Sequence, residues 1–191
     1  MEALFNDEVN AAVTILKSGG AILYPTDTIW GLGADATNEK AVQKVFEIKG
    51  RPAEKSMILL LDDGAKLNRY VKQVPDVAWD IMDAATDPIT IIYPGAINLP
   101  PSVIAADGSI AFRVTSDPFC RLLIRKLNKP LVSTSANISG KPSPSCYNEI
   151  DPAVIKATDY VVNLRHNENG CNKPSSIIQL GINGEVRIIR K

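Results

Sequence analysis

The chain has 191 residues, enough to bury a full hydrophobic core. Hydrophobic residues make up 45% and charged residues 22%, with 12 Gly and 13 Pro, a globular composition that excludes disorder, collagen and coiled coil. Lys and Arg number 21, as do Asp and Glu, so a globally basic nucleic-acid coat is excluded, although a local basic groove is not.

In chain order, Asn6-Asp7 reads as the cap of a helix with Val9, Ala12, Val13 and Leu16 on its apolar stripe, stopped at Gly19-Gly20. Ala21 to Tyr24 reads as a strand ended by Pro25. Thr37-Asn38 caps a second helix, with Ala41, Val42, Val45, Phe46 and Ile48 inward. A basic segment from Lys49 to Lys55 leads to a buried strand, Ser56 to Leu61. Helical patches follow at Ala65 to Val71 and Pro75 to Ala85. Ile89 to Tyr93 is a strand, Pro94 to Gly108 a long loop, and Ile110 to Val114 another strand. Asp117-Pro118 opens a helix running to Leu127. Strands are expected at Leu131 to Ser135 and Tyr160 to Asn163. The tail reads as a hairpin of Ser176 to Leu180 and Val186 to Arg190 around a two-residue Asn183-Gly184 turn. Strands and helices mix throughout, so the class is α/β, read as one domain over 1–191.

Cys120, Cys146 and Cys171 form no CxxC pair, which argues against a zinc ribbon and suits a reducing compartment. No basic n-region precedes an apolar stretch at the N-terminus, and no apolar run is long enough to span a bilayer, so a cytoplasmic location is expected. The lone histidine, His166, lies in a polar stretch and reads as a solvated loop residue.

Three loops collect side chains suited to chemistry. Tyr24 to Gly33 follows a strand, where open α/β sheets place ligands; its threonines and glycines read either as a ligand approach or as a capped turn around Trp30. Lys49-Gly50-Arg51-Pro52-Ala53-Glu54-Lys55 puts three cations at a helix end, suited to phosphate or to simple capping. No P-loop or GxGxxG occurs, so side chains would have to hold any phosphates. Ser133 to Ser143 is crowded with hydroxyls, which need partners if buried; a hydroxyl-rich surface loop is the alternative. Arg113 shares a strand face with Ala111, opposite Phe112, as a surface charge or an anion ligand, and Arg190 ends the last strand. No paired carboxylates, metal cluster or activated nucleophile stands out, which points to catalysis by positioning and charge stabilisation.

The segments Tyr24 to Gly33, Lys49-Gly50-Arg51-Pro52, Ser135-Ala136-Asn137-Ile138-Ser139-Gly140 and Pro174-Ser175-Ser176-Ile177 together resemble the YrdC/Sua5 family, in its short, single-domain form. The resemblance implies a YrdC-like twisted mixed parallel and antiparallel sheet flanked by helices, with a concave basic cleft. It implies synthesis of threonylcarbamoyl-AMP from L-threonine, bicarbonate and ATP, with Mg2+ held mainly by phosphates and pyrophosphate released. That product feeds the t6A modification at position 37 of tRNA. Thr28, Arg113, Ser133 and Ser175 are expected at threonine or its carbamate, and Arg51, Lys55, Ser109, Ser135, Asn137, Ser143 and Arg190 at ATP. Lys49 and Arg51 are expected to carry catalysis by stabilising phosphate charge. Downstream partners would be t6A-transferase proteins, with weak RNA or tRNA contact and no membrane. Departures from the family pattern are Leu60 where some relatives have His, Trp30 for Tyr, Ser109 for Thr, Lys55 for Asn, and the stretch Asp87-Pro88-Ile89-Thr90. The alternatives are a YciO-like paralogue, disfavoured by the presence of Lys49, Arg51, Ser135 and Asn137, and a double-stranded RNA-binding module, disfavoured by zero net charge.

Overall fold

The computed structural model describes residues 2–50, 57–168 and 173–191. The chain begins with α1 (Glu2–Lys17), followed by the antiparallel pair β1 (Ile22–Tyr24) and β2 (Gly31–Gly33). Then come α2 (Glu39–Lys49), β3 (Ile58–Leu61), α3 (Val77–Ala84), β4 (Ile89–Tyr93) and β5 (Ile110–Val114). The second half adds α4 (Pro118–Leu127), β6 (Leu131–Ser135), α5 (Pro152–Ala157), β7 (Tyr160–Val161), β8 (Ser176–Leu180) and β9 (Val186–Arg190). These strands form one mixed sheet in the order β7-β1-β2-β6-β3-β5-β4-β8-β9. The α/β class and the mixed sheet expected from the sequence are present.

Helix ends follow local chemistry. The Asn38 side chain accepts the N–H groups of Lys40 and Ala41, which would otherwise be orphaned in the first turn of α2. Gly50 closes α2 in the left-handed region, at φ 55°, where a Cβ is disfavoured. Asp117 accepts the Cys120 N–H, and Pro118 starts α4 without a missing hydrogen bond. α4 buries Phe119, Cys120, Leu123, Ile124 and Leu127. At about 1.5–3 kcal/mol per large apolar side chain, that burial outweighs anything intrinsic helix propensity supplies.

The helices cover the two sheet faces unequally. α1 and α4 pack over Ile22, Tyr24, Leu60 and Leu131 on one face. The other face buries Leu23, Leu32, Leu59, Leu61, Phe112 and Val132 under α2, α3 and α5. On the first face, the strand segments around Ile58, Ile92, Ala111 and Ile177 are left uncovered by helices and border a cavity.

Five local expectations are corrected. α1 starts at Glu2, and Asn6 lies inside it, donating to the Glu2 carbonyl rather than capping. Residues 31–33 are a strand, hidden in the sequence by two glycines. α5 was not anticipated, although Asp151-Pro152 repeats the Asp-Pro start of α4, with Asp151 accepting the Ala153 N–H. The final hairpin turns over Gly181 to Glu185, closed by Gly181 N–H to the Glu185 carbonyl, with Gly184 at φ 84°. The segment expected as helix at Ala65 to Val71 is a 3-10 turn over Gly64–Arg69.

Asp159 pins β1 beside β7. Its carboxylate accepts the Ala21 N–H at 2.7 Å and pairs with Lys44 at 2.6 Å. Burial opposes its charge, but the bonds from Lys44 and Ala21 outweigh burial and hold the carboxyl below its ordinary 3.8. A carboxyl so depressed stabilises the fold above its unfolded pKa and loses that contribution as pH falls through the folded one. Asp159→Asn is therefore expected to cost about 1 kcal/mol in urea denaturation at pH 7. The deficit should shrink as the pH is lowered below 3.8, and a deficit independent of pH would refute this account.

Candidate functional site

The cavity on the uncovered face has a volume of about 300 Å³. Its polar wall comes from Thr28, Ser133, Ser135, Ser143, Ser175 and two arginines, Arg113 and Arg190. Its apolar floor is built from Ile58, Ile92, Ala111 and Ile177, on β3, β4, β5 and β8. Seven of the residues expected at a ligand thus meet around one space, although they come from five separate segments.

Arg113 is the deepest of them, only 4% exposed. Alternation places it with Ala111 on the cavity face and Phe112 in the opposite core, as expected. Its Nη1 donates to Thr28 Oγ1 at 3.0 Å and lies 2.8 Å from Asp27 Oδ1. The latter is an ion pair by distance, but the N–H is not aligned on Oδ1 as in a hydrogen bond. Arg113 Nε–H is buried with no hydrogen-bond partner. Thr28 in turn bonds Thr26 Oγ1 at 2.9 Å, and Thr26 donates its hydroxyl hydrogen to the Ile29 carbonyl. Thr26 therefore accepts from Thr28, and the loop hydroxyls form a directed chain starting at Arg113.

Arg190 reaches the same cavity by a β-bulge. Ile177 pairs with Arg190 while Ile178 pairs with Ile188, so Ile189 is an extra residue in β9. That insertion turns Arg190 to the face opposite Ile188. Its Nε and Nη2 then donate to the Ser175 carbonyl at 3.0 and 2.7 Å. Burial, and secondarily the charge of Arg113, pulls the Arg190 guanidinium below its ordinary range. Two cations thus repel across a space lined by neutral hydroxyls, an electrostatic arrangement that an anionic ligand relieves.

The hydroxyl loop is held from behind. Lys49, the last residue of α2, is 3% exposed. Its ammonium donates to the Ser135 and Asn137 carbonyls at 2.6 and 2.7 Å and contacts Asn137 Oδ1 at 3.3 Å. Asn137 Oδ1 also accepts the Ser135 hydroxyl, and Asn137 Nδ2 donates to the Lys141 carbonyl at 2.6 Å. Lys49, Asn137 and Ser109 were expected to touch ligand, but none is among the residues lining the cavity. Arg51 and Lys55 lie outside the described residues, as does Cys171.

Several features were not legible in the sequence. Of the two glycines of β2, Gly31 lines the cavity as expected, and both also make room for Tyr24. A Cβ on Gly33 would stand 2.6 Å from the Val132 carbonyl and 2.7 Å from the Tyr24 ring, and one on Gly31 3.0 Å from that ring. Tyr24, wholly buried, fills this space and donates its hydroxyl to the Val132 carbonyl. His166 is half-buried rather than a free loop side chain. It stacks on Tyr147 at 3.8 Å, stands 5.4 Å from Trp30, and bonds the Val162 carbonyl through Nε2 at 2.8 Å. A carbonyl only accepts, so Nε2 carries the hydrogen. Together these rings back the Trp30 wall of the cavity. Thr90 bonds the Ser175 hydroxyl at 2.7 Å and fixes it. Leu60 is wholly buried under α1 and α4 and does not line the cavity. Cys120 is also buried, and burial with the nearby Asp117 pushes its thiol up, away from nucleophilic thiolate chemistry.

Among the described residues, no group of three or more His, Cys, Asp or Glu side chains could hold a metal ion, and no helix is long and apolar enough to cross a membrane. The cavity donors are hydroxyls and guanidinium groups, which suit carboxylate and phosphate oxygens.

Known proteins resemble this chain over most of its length. A family model named Sua5/YciO/YrdC, described as telomere recombination, matches residues 14–191. The threonylcarbamoyl-AMP synthase of Pseudoalteromonas translucida is 37% identical over 181 residues, 93% of this chain and 95% of that protein. A putative threonylcarbamoyl-AMP synthase of Methanocaldococcus jannaschii is 38% identical over 167 residues, 86% of this chain and 76% of that one. The crystal structure of P. abyssi Sua5 with L-threonine matches with a TM-score of 0.80 and 27% identity, covering 90% of this chain and 50% of that chain. This chain thus corresponds to about half the Sua5 length. The E. coli YciO structure matches with a TM-score of 0.82 and 27% identity, covering 96% of this chain and 88% of that chain.

Gly33→Ala tests the Tyr24 packing. Because the obstructing atom nearest the new Cβ is backbone, the substitution is expected to cost about 1–3 kcal/mol in chemical denaturation. A variant as stable as the parent would show that the site does not depend on this contact.

Proposed function

Since the chain belongs to the Sua5/YciO/YrdC family, we propose that it is a threonylcarbamoyl-AMP synthase, joining L-threonine, bicarbonate and ATP with release of pyrophosphate. The observation that carries the reading is Arg113: a buried guanidinium at the cavity, with a partnerless Nε–H, facing a second arginine. Such a group suits a carboxylate, here that of threonine. Thr28, Ser133 and Ser175 surround it and suit the remaining polar atoms of threonine and its carbamate.

The threonine amine forms a new C–N bond to the carbon of bicarbonate-derived CO2 and loses a proton, giving a carbamate. A carbamate oxygen then attacks the α-phosphorus of ATP in line, and pyrophosphate leaves. ATP enters as its magnesium complex, the ion travelling on the phosphates. Ser135, Ser143 and Arg190 line the cavity beside the threonine group and are assigned to ATP, with Arg51, Lys55, Ser109 and Asn137 completing that set by their place in the family motifs. Arg51 is assigned, by its place in the family motif, to the charge on the α-phosphate and the leaving pyrophosphate. Lys49 serves the same charge through the loop it holds, since its ammonium binds the Ser135 and Asn137 carbonyls. The protein supplies orientation and positive charge, which is sufficient for a transfer needing no covalent enzyme intermediate.

On this reading residues 1–191 act as one domain with a basic cleft, in the cytoplasm, and the adenylate passes to t6A-transferase proteins. Any contact with tRNA is weak.

Pyrophosphate release is the direct test. It is expected only when L-threonine, bicarbonate and magnesium ATP are all present, with threonylcarbamoyl-AMP detectable by mass spectrometry. Release without threonine, or none from folded protein, would overturn the assignment. Arg51→Ala should lower turnover by about 10²-fold or more, with an unchanged circular dichroism spectrum. Unchanged turnover would remove Arg51 from the mechanism.

A further inference from the structure

Arg113 can serve a carboxylate only if its guanidinium is held in one orientation, and Asp27, which holds it together with Thr28, does not line the cavity. Asp27 sits behind it. One carboxylate oxygen, Oδ1, lies 2.8 Å from Arg113 Nη1. The other, Oδ2, accepts the Thr115 hydroxyl at 3.1 Å. Thr115 is itself fixed, since its Oγ1 accepts the Asp117 N–H at 3.2 Å, and Asp117 pairs with Arg165 at 2.6 Å. The carboxylate is therefore held through Oδ2 from outside the cavity, which leaves Oδ1 against Arg113.

The consequence lies in the shape of a guanidinium. Nη1 is occupied on the protein side by Asp27 and Thr28. What remains is the edge formed by Nε–H and the neighbouring Nη2, the two-donor side of the fork that binds a carboxylate in parallel. The Nε–H of that edge is the buried donor without a partner. Burying it unpaired costs free energy that a ligand carboxylate recovers. Arg113 alone could rotate about Cζ or swing within the cavity; Asp27 removes that freedom before the ligand arrives.

We propose that Asp27 is a positioning residue, held by Thr115, that presents the Nε–Nη2 edge of Arg113 to the amino-acid carboxylate. The inference rests on the reading of Arg113 as the carboxylate site. It assigns to Asp27 a role in affinity for the amino acid, beyond neutralising a buried charge.

Calorimetric binding of L-threonine and of ATP, with arginine side-chain NMR, tests it in the full-length protein. Asp27→Asn keeps the shape and removes the charge. It should weaken L-threonine binding about tenfold or more and leave ATP binding within about twofold. Rotation of the Arg113 Nη groups should be slow in the parent and fast in the variant. Thr115→Val leaves both charges in place and should weaken threonine binding by a smaller factor, and the double variant should fall short of the product of the two effects because both act through one carboxylate. Threonine affinity in folded Asp27→Asn within about twofold of the parent would overturn the proposal. If the parent binds no threonine, the proposed function falls, and the NMR still decides: the same Nη rotation in parent and variant overturns the hold of Asp27 on Arg113. Should Asp27→Asn fail to fold, Thr115→Val must show the threonine-selective loss; equal affinity there overturns the proposal.

Discussion

A full positive charge is buried in the interior of a nine-stranded sheet, and much of the site serves to keep it there. Taking a guanidinium out of water costs several kcal/mol unless its charge and its N–H groups find partners. At Arg113 the partners are supplied on one side only. Asp27 offsets the charge, and Thr28 accepts a hydrogen bond. The Nε–H is left without a partner, and the neighbouring Arg190 adds like charge. A buried ion pair is weak evidence for stability, but an incompletely satisfied one beside an open cavity is a reason to expect a ligand.

The second constraint is mechanical. The cavity wall between Ser133 and Ser143 is a strand end running into a loop, a shape that would drift without support. Lys49 supplies it from the end of α2, where three oxygens of the loop converge on a single ammonium. The opposite wall is braced by Tyr24, whose ring fits only because Gly31 and Gly33 have no side chains, and by the Trp30, Tyr147 and His166 rings. The walls are thus stiffened from the core, and the polar groups facing the cavity are held in place before any ligand binds, which lowers the entropy cost of binding.

Much of this could be read along the chain. The helices α2 and α4 are written in Asn38, Gly50 and Asp117-Pro118, because caps are local interactions within a few residues. The strands β4, β5, β6, β8 and β9 are written in short apolar runs bounded by turn residues. The strand β2 was not legible, since Gly-Leu-Gly carries no β-branched signal and its pairing partners lie in β1 and β6. The packing of His166 was hidden for a related reason: a polar neighbourhood in sequence says nothing of Tyr147, which arrives from another segment to stack on it.

The sequence by itself determined the fold class, most element boundaries and, through motifs spread over nearly its whole length, the family and the residue types of the site. Only the tertiary structure decided which of those residues share a space. It separated Thr28, Arg113, Ser133, Ser135, Ser143, Ser175 and Arg190, which line one cavity, from Lys49, Asn137 and Ser109, which do not. It also brought out Asp27, Thr90 and Thr115, which act on the site through other residues. The physical reason is that caps and strand patterns depend on near neighbours, whereas the orientation of a buried charge depends on groups as far as Thr28, 85 residues away in the chain, and a bulge of one residue in β9 is enough to send Arg190 to one face of the sheet or the other.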